Sequence, residues 1–144
     1  MGNMFIGRIN SKVDAKGRVV VPAQYRKILA GNEALVGRMD AEERYLMVFT
    51  AEEWELKVAS LTAMLDEWSE EDNDKLMQWV GDAVEMEIDA QGRLLVPKAQ
   101  KERMGVKGEL AFVGMGKNFA IWDSAAYDEH CATRGKFCAP KKNQ

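Results

Sequence analysis

One histidine, two cysteines and three prolines are all that 144 residues contain, and each scarcity excludes something. A lone imidazole, His130, argues against a histidine-based catalytic site. Cys131 and Cys138 add two thiols to it, but a structural zinc site takes four ligands, in closely spaced pairs. The cysteines therefore read as free thiols near a loose C-terminus. No apolar run approaches the roughly 20 residues of a spanning helix, so no membrane association is expected. The opening "MGNMFIGRIN" has no hydrophobic signal region, and Ile6 stands where a myristoylation motif carries Ser or Thr. Met4 is a candidate internal start, and the cytoplasm is the expected compartment. No nucleophile–base set, metal-ligand cluster or phosphate loop stands out. No enzymatic activity, cofactor, metal or small-molecule substrate is expected.

What is present starts with charge. The net value of −3 argues against a nucleic-acid partner until it is resolved along the chain. From Met1 to Leu29 the charged residues are Arg8, Lys12, Lys16, Arg18, Arg26 and Lys27 against Asp14 alone. From Thr50 to Ala90, Lys57 and Lys75 stand against thirteen Asp and Glu. Binding responds to the local field of a surface rather than to the sum, so a cationic face on an acidic body is expected.

A duplication gives that face a shape. "VDAKGRVVVP" at Val13–Pro22 returns as "IDAQGRLLVP" at Ile88–Pro97, and "LMVFTAEEW" at Leu46–Trp54 resembles "FAIWDSAAY" at Phe119–Tyr127. Gly17 and Gly92 stand where a turn needs positive φ. The β-branched run after Arg18 predicts a strand, and Pro22 the first turn of a helix with Tyr25, Ile28 and Leu29 on one apolar face. Thr50 with Glu53, and Ser69 with Asp72, are capping patterns for two further helices. Trp54, Val58, Leu61, Leu65 and Trp68 form a stripe on the first of these, expected to pack a core or a subunit interface. Val84, Met86 and Ile88 alternate with acids, as in a strand. The fold class is α+β. A unit this small cannot cover its own strands, so the two copies are expected to form one core about a pseudo-twofold axis.

The repeated turns carry the chemistry. Asp14 and Asp89 can fix their loops by accepting turn N–H bonds or pairing with an arginine. Arg18 and Arg93 offer planar forks suited to phosphate or to the acceptor edge of guanine, and Lys16 a point charge for phosphate. Arg8 and Lys12, from the preceding strand, are expected to join Arg18 at one cationic tip.

These segments, "MFIGRINSKVDAKGRVVVPAQYR", the second "DAQGR", "LMVFTAEEWE" and "FAIWDSAAYD", resemble the MraZ family of bacterial transcriptional regulators, from about Met4 to Tyr127. That family groups with AbrB- and MazE-like DNA-binding proteins. The resemblance implies two tandem AbrB-like repeats of swapped-hairpin, split β-α-β type, forming a β-barrel-like core with peripheral helices. The expected spans are 4–54 and 83–132 for the repeats, 55–82 for connecting helices and 133–144 for a flexible tail. It also implies a homo-oligomeric ring that binds short tandem repeats of double-stranded DNA in the promoter of a cell-division and cell-wall gene cluster, at the nucleoid. The family's Asp-x-x-x-Arg positions fall on Asp14, Arg18, Asp89 and Arg93. Lys16 becomes Gln91 in the second copy, and Tyr25 and Ile28 become Gln100 and Arg103, so the first motif is expected to dominate. Two other readings stay open at this point. One is an AbrB- or MazE-like regulator or antitoxin with a different target; the other is a ring-forming module whose turns contact protein.

Overall fold

The computed structural model describes residues 4–32 and 34–137. The first half runs β1 (Arg8–Lys12), β2 (Arg18–Val20), α1 (Ala23–Ile28), β3 (Ala34–Met39), β4 (Tyr45–Thr50) and α2 (Ala51–Met64). After α3 (Glu70–Gly81) the order returns as β5 (Val84–Glu87), β6 (Arg93–Leu95), α4 (Lys98–Met104), β7 (Glu109–Gly114), β8 (Phe119–Asp123) and α5 (Ser124–Thr133). Helix α3 has no counterpart among the described residues. The boundary expected between 54 and 55 falls inside α2.

Strand pairing interleaves the two halves. A six-stranded antiparallel sheet has the order β1-β7-β8-β4-β3-β5, symmetric about its centre, while β2 pairs with β6 as a separate ribbon. Strand β1 lies on β7 of the other half, and β5 lies on β3. The ribbon register sets Arg18 opposite Leu95, Val19 opposite Leu94 and Val20 opposite Arg93. Between sheet and ribbon sits one core from both halves, including Val19, Val21, Tyr25 and Leu46 with Leu94, Val96, Leu110 and Phe112. Each fully buried side chain of this kind contributes about 1.5–3 kcal/mol. The phenol of Tyr25 is satisfied within that core by donating to the Gly7 carbonyl at 3.0 Å.

The other face of the sheet carries the longer helices. Helix α5 buries Tyr127 against Trp122, and α2 lays Trp54 flat on Trp79 of α3 at 5.5 Å. Both capping predictions hold: Thr50 accepts from the Glu53 N–H, and Ser69 from the Asp72 N–H, each at 3.2 Å. The stripe on α2 is shorter than expected. The helix stops at Met64, Leu65 is extended, and Asp66 accepts from the Trp68 N–H in the following turn. That turn leaves Trp68 88% exposed, so within the protomer it is no part of a core. Cys131 sits on α5 beside the Trp122 cluster rather than in a loose tail, and Cys138 lies outside the described residues. Among the described residues, no helix is long and apolar enough to cross a membrane.

Candidate nucleic-acid interface

Each Asp-x-x-Gly-Arg stretch folds as a tight hairpin turn whose aspartate is the organising residue. One carboxylate oxygen of Asp14 accepts the N–H groups of Lys16 and Arg18, each at 2.9 Å, and the other takes Nε of Arg18 at 2.9 Å. Gly17, at φ +86°, supplies the left-handed residue that closes such a turn. Asp89 repeats every bond, to Gln91, to the Arg93 N–H and to the Arg93 Nε, each at 2.9 Å, with Gly92 at φ +78°. Both readings of the aspartates, turn acceptor and arginine partner, are realised at once. The Arg18 backbone N–H foremost, then its side chain and the Lys16 N–H, holds the Asp14 carboxyl below the usual carboxylate range. Asp89 is lowered by the same groups of Arg93 and Gln91.

This clamp uses only Nε of each guanidinium. Among the described residues no hydrogen bond engages either terminal nitrogen of Arg18 or Arg93. The fork is oriented by its stem and left open at its end, which is the arrangement bidentate recognition requires.

The two loops are then locked across the pseudo-twofold. The Gly17 carbonyl accepts the Val96 N–H, and the Gly92 carbonyl accepts the Val21 N–H, each at 2.9 Å. A Cβ at Gly17 would stand 3.0 Å from the Val96 carbonyl oxygen, so glycine is needed for approach as well as for φ. Alternation along the ribbon turns Val19 and Leu94 into the core and points Arg18, Val20, Arg93 and Leu95 outward. The outer face of the ribbon is thus two arginines on one diagonal and two exposed aliphatic side chains on the other.

Not every expected cation is at this tip. Arg8, Asn10 and Lys12 share the face of β1 that faces away from the ribbon, because Ile9 and Val13 pack into the core. Arg8 pairs there with Asp128, donates to Ser124 and lies over the Tyr127 ring at 5.0 Å. The strand therefore does not bring Arg8 to Arg18. Lys12 is exposed beside the Lys107–Glu109 turn and α5. Lys16 is exposed on the loop itself, as is Gln91 on its counterpart.

Sequence reading missed a third clamp. "DAEER" at Asp40–Arg44, at the tip of the β3–β4 hairpin, has Asp40 accepting the N–H groups of Arg44 and Tyr45 and holding the Arg44 Nε at 2.8 Å. Glu43, at φ +58°, occupies the position of the glycine. The signal that could have found it was the recurring Asp-Ala-x-x-Arg, which the absent glycine concealed. Its surroundings differ from the ribbon. Glu42 stands 3.6 Å from Arg44, and the guanidinium lies near the rings of Tyr45 and Trp122, 5.8 Å from each.

The comparisons agree with this architecture. The family model described as "MraZ protein, putative antitoxin-like" matches residues 4–75 and 80–142, one stretch for each half. A protein named transcriptional regulator MraZ from Bacteroides fragilis is 33% identical over 120 residues, covering 82% of this chain and 76% of that one. The protein of that name from Hydrogenovibrio crunogenus is 35% identical over 133 residues, covering 87% and 84%. That from Shewanella denitrificans is 34% identical over 128 residues, covering 88% and 84%. By a match that spans both clamped loops and the sheet they rest on, the chain belongs to the MraZ family of transcriptional regulators.

Proposed function

We propose that this protein regulates transcription by binding double-stranded DNA through the outer face of its β2–β6 ribbon. The observation that carries the proposal is the pair of guanidinium forks, held by Nε and open at the end, on a two-stranded ribbon with loops at both ends. A major groove admits a two-stranded ribbon. Arginine bonds two acceptors of guanine there, while aliphatic side chains contact the thymine methyl. Arg18 and Arg93 take the first role, Val20 and Leu95 the second, and Lys16 pairs with phosphate. Arg8 serves the fold through Asp128, and Lys12 adds charge at the margin.

The electrostatic layout supports this face over others. The ribbon layer, from Asp14 to Leu29 and from Asp89 to Gly105, carries eight cations and three acids. The α2–α3 segment, from Ala51 to Asp82, carries ten acids and two lysines. A polyanion is attracted to the ribbon layer and repelled from the α2–α3 segment, despite the acidic total.

One ribbon makes few contacts, and non-specific affinities of such modules are about 10⁻⁴ to 10⁻⁶ M. A homo-oligomeric ring that presents several ribbons to tandem repeats makes later contacts intramolecular and raises avidity. The proposed target is the promoter of the cell-division and cell-wall gene cluster that includes its own gene, which places the protein at the nucleoid with no enzymatic role. The test is a footprint and a binding titration on the DNA upstream of its own gene, with native mass measurement of the free protein. Protected short repeats at even spacing and a ring-sized mass are expected. Salt-independent binding, or no protection, would overturn the assignment.

A further inference from the structure

Resting on that DNA-binding reading, we propose that Arg26 and Lys101 are additional DNA contacts, each serving the loop of the opposite half. The loop at Asp14–Arg18 acts with Lys101 of α4, and the loop at Asp89–Arg93 acts with Arg26 of α1.

The placement follows from the exchange of strands. Arg26 and Lys101 each stand four residues after the proline that starts a short helix, Pro22 and Pro97. Because the halves are interleaved, each helix ends up beside the other half's turn. The Arg26 side chain crosses Gly92 so closely that a Cβ there would stand 2.7 Å from Nη1 and 2.8 Å from Cδ. Lys101 crosses Gly17, its Cδ 3.6 Å from where a Cβ would stand, and its Nζ donates to the Ala15 carbonyl at 3.5 Å. Arg26 is exposed and, among the described residues, its guanidinium makes no hydrogen bond or ion pair, its backbone N–H alone donating to the Pro22 carbonyl at 2.9 Å. It borders an open cleft of about 330 Å³ with Leu29, Ile88, Asp89 and Ala90, far more than the roughly 30 Å³ share of one water molecule, so a phosphate group has room.

The chemistry of the two cations matches the asymmetry of the loops. The first loop has its own Lys16 and receives a lysine. The second has Gln91 in that place and receives an arginine, whose fork grips phosphate bidentately where an ammonium offers a point charge. The second loop is therefore less depleted than its own residues suggest.

The test is anisotropy with the full-length protein and a labelled duplex from upstream of its own gene, across a salt series. Arg26→Met and Lys101→Met keep the aliphatic stem over each glycine and remove the charge. Each is expected to weaken binding several-fold and to lower the slope of log affinity against log salt by about 0.9 per engaged subunit. Arg26→Lys is expected to restore the slope, which a purely steric role would not require. Double variants carry the distinctive signature. Arg26→Met should add little to Arg93→Ala and its full effect to Arg18→Ala, and Lys101→Met the reverse. Arg26→Gln provides a second neutral variant should the methionine melt early. An unchanged slope, or coupling that follows sequence halves, overturns the inference while leaving the loops as DNA sites. Undiminished binding by Arg18→Ala/Arg93→Ala overturns the DNA reading itself.

Discussion

The loop at Asp40–Arg44 and the loop at Asp14–Arg18 share an aspartate that caps backbone N–H groups and an Nε–carboxylate pair, yet they occupy opposite kinds of surroundings. The first closes one hairpin within one half, beside Glu42 and two aromatic rings. The second is bonded to the other half through Gly17 and Val96, and opens onto a ribbon flanked by cations. The clamp is therefore a device for making a turn. On the proposed reading, what makes a recognition surface of it is the neighbourhood: an open guanidinium end, a paired strand carrying a second copy, and helices that bring further positive charge.

The sharpest way to break that comparison is to separate the halves. A chain ending near Asp82 leaves β1 without β7 and β2 without β6, and exposes a core built by both halves. It is expected to lose cooperative thermal unfolding altogether, read by circular dichroism, although the Asp40–Arg44 turn is wholly within it. A cooperative melt from that fragment would show that the first half is self-sufficient.

Next in size is the contrast between arginines. Arg18→Ala is expected to cost about 1–3 kcal/mol for each base the guanidinium no longer reads, compounded over engaged subunits, whereas Arg44→Ala leaves promoter affinity unchanged. Equal effects in titrations of the two variants would mean that the clamp, rather than its setting, binds DNA.

Glycine and glutamate at the shared position sharpen the comparison further. Gly17→Ala is expected to destabilise the fold by roughly 1–3 kcal/mol in denaturant titration, from positive φ and from approach to the Val96 carbonyl oxygen. Glu43→Gly relieves a left-handed non-glycine residue and is expected to stabilise by up to about 1 kcal/mol. A destabilised Glu43→Gly would assign Glu43 a role beyond the turn, its 3.6 Å ion pair with Arg103 being the one to test.

Acid should reveal the clamps through a weaker effect. The carboxyls of Asp14 and Asp89 lie lower in the folded chain than in the unfolded one. Their contribution is fully present above the unfolded value of about 3.9 and is lost as pH falls through the folded-state values. Asp14→Asn/Asp89→Asn is expected to flatten the acid limb of stability against pH below about 4. An unchanged limb in melts would show that the carboxylates add nothing to stability.

The smallest change is expected at Trp68. Its exposed ring lies outside both cores, so Trp68→Ala should shift protomer stability by no more than about 0.5 kcal/mol. A larger shift that depends on protein concentration would place Trp68 in a subunit interface.

Much of this was legible because it is local. Gly17 and Gly92 declared positive φ, Thr50 and Ser69 declared helix starts, and the alternation of Val84, Met86 and Ile88 declared a strand, since each signal lies within a few residues of its consequence. The stripe through Trp68 misled because helical spacing continues on paper after Leu65 turns extended. The assignment of Arg8 to the tip misled for another reason. Its partner, Asp128, lies 120 residues away, and no short-range pattern reports such a neighbour.

The sequence by itself determined two clamped turns, the residues able to build them, and a charge division between an N-terminal cationic stretch and an acidic middle. Tertiary structure alone decided that the two turns share one ribbon, that Arg8 faces away from it, and that Arg26 and Lys101 each lie over the other half's glycine. Hydrogen-bonded turns close over four or five residues and leave their mark in that window. Strand exchange is decided by burial over separations of about 75 residues, where the energy belongs to the assembled core.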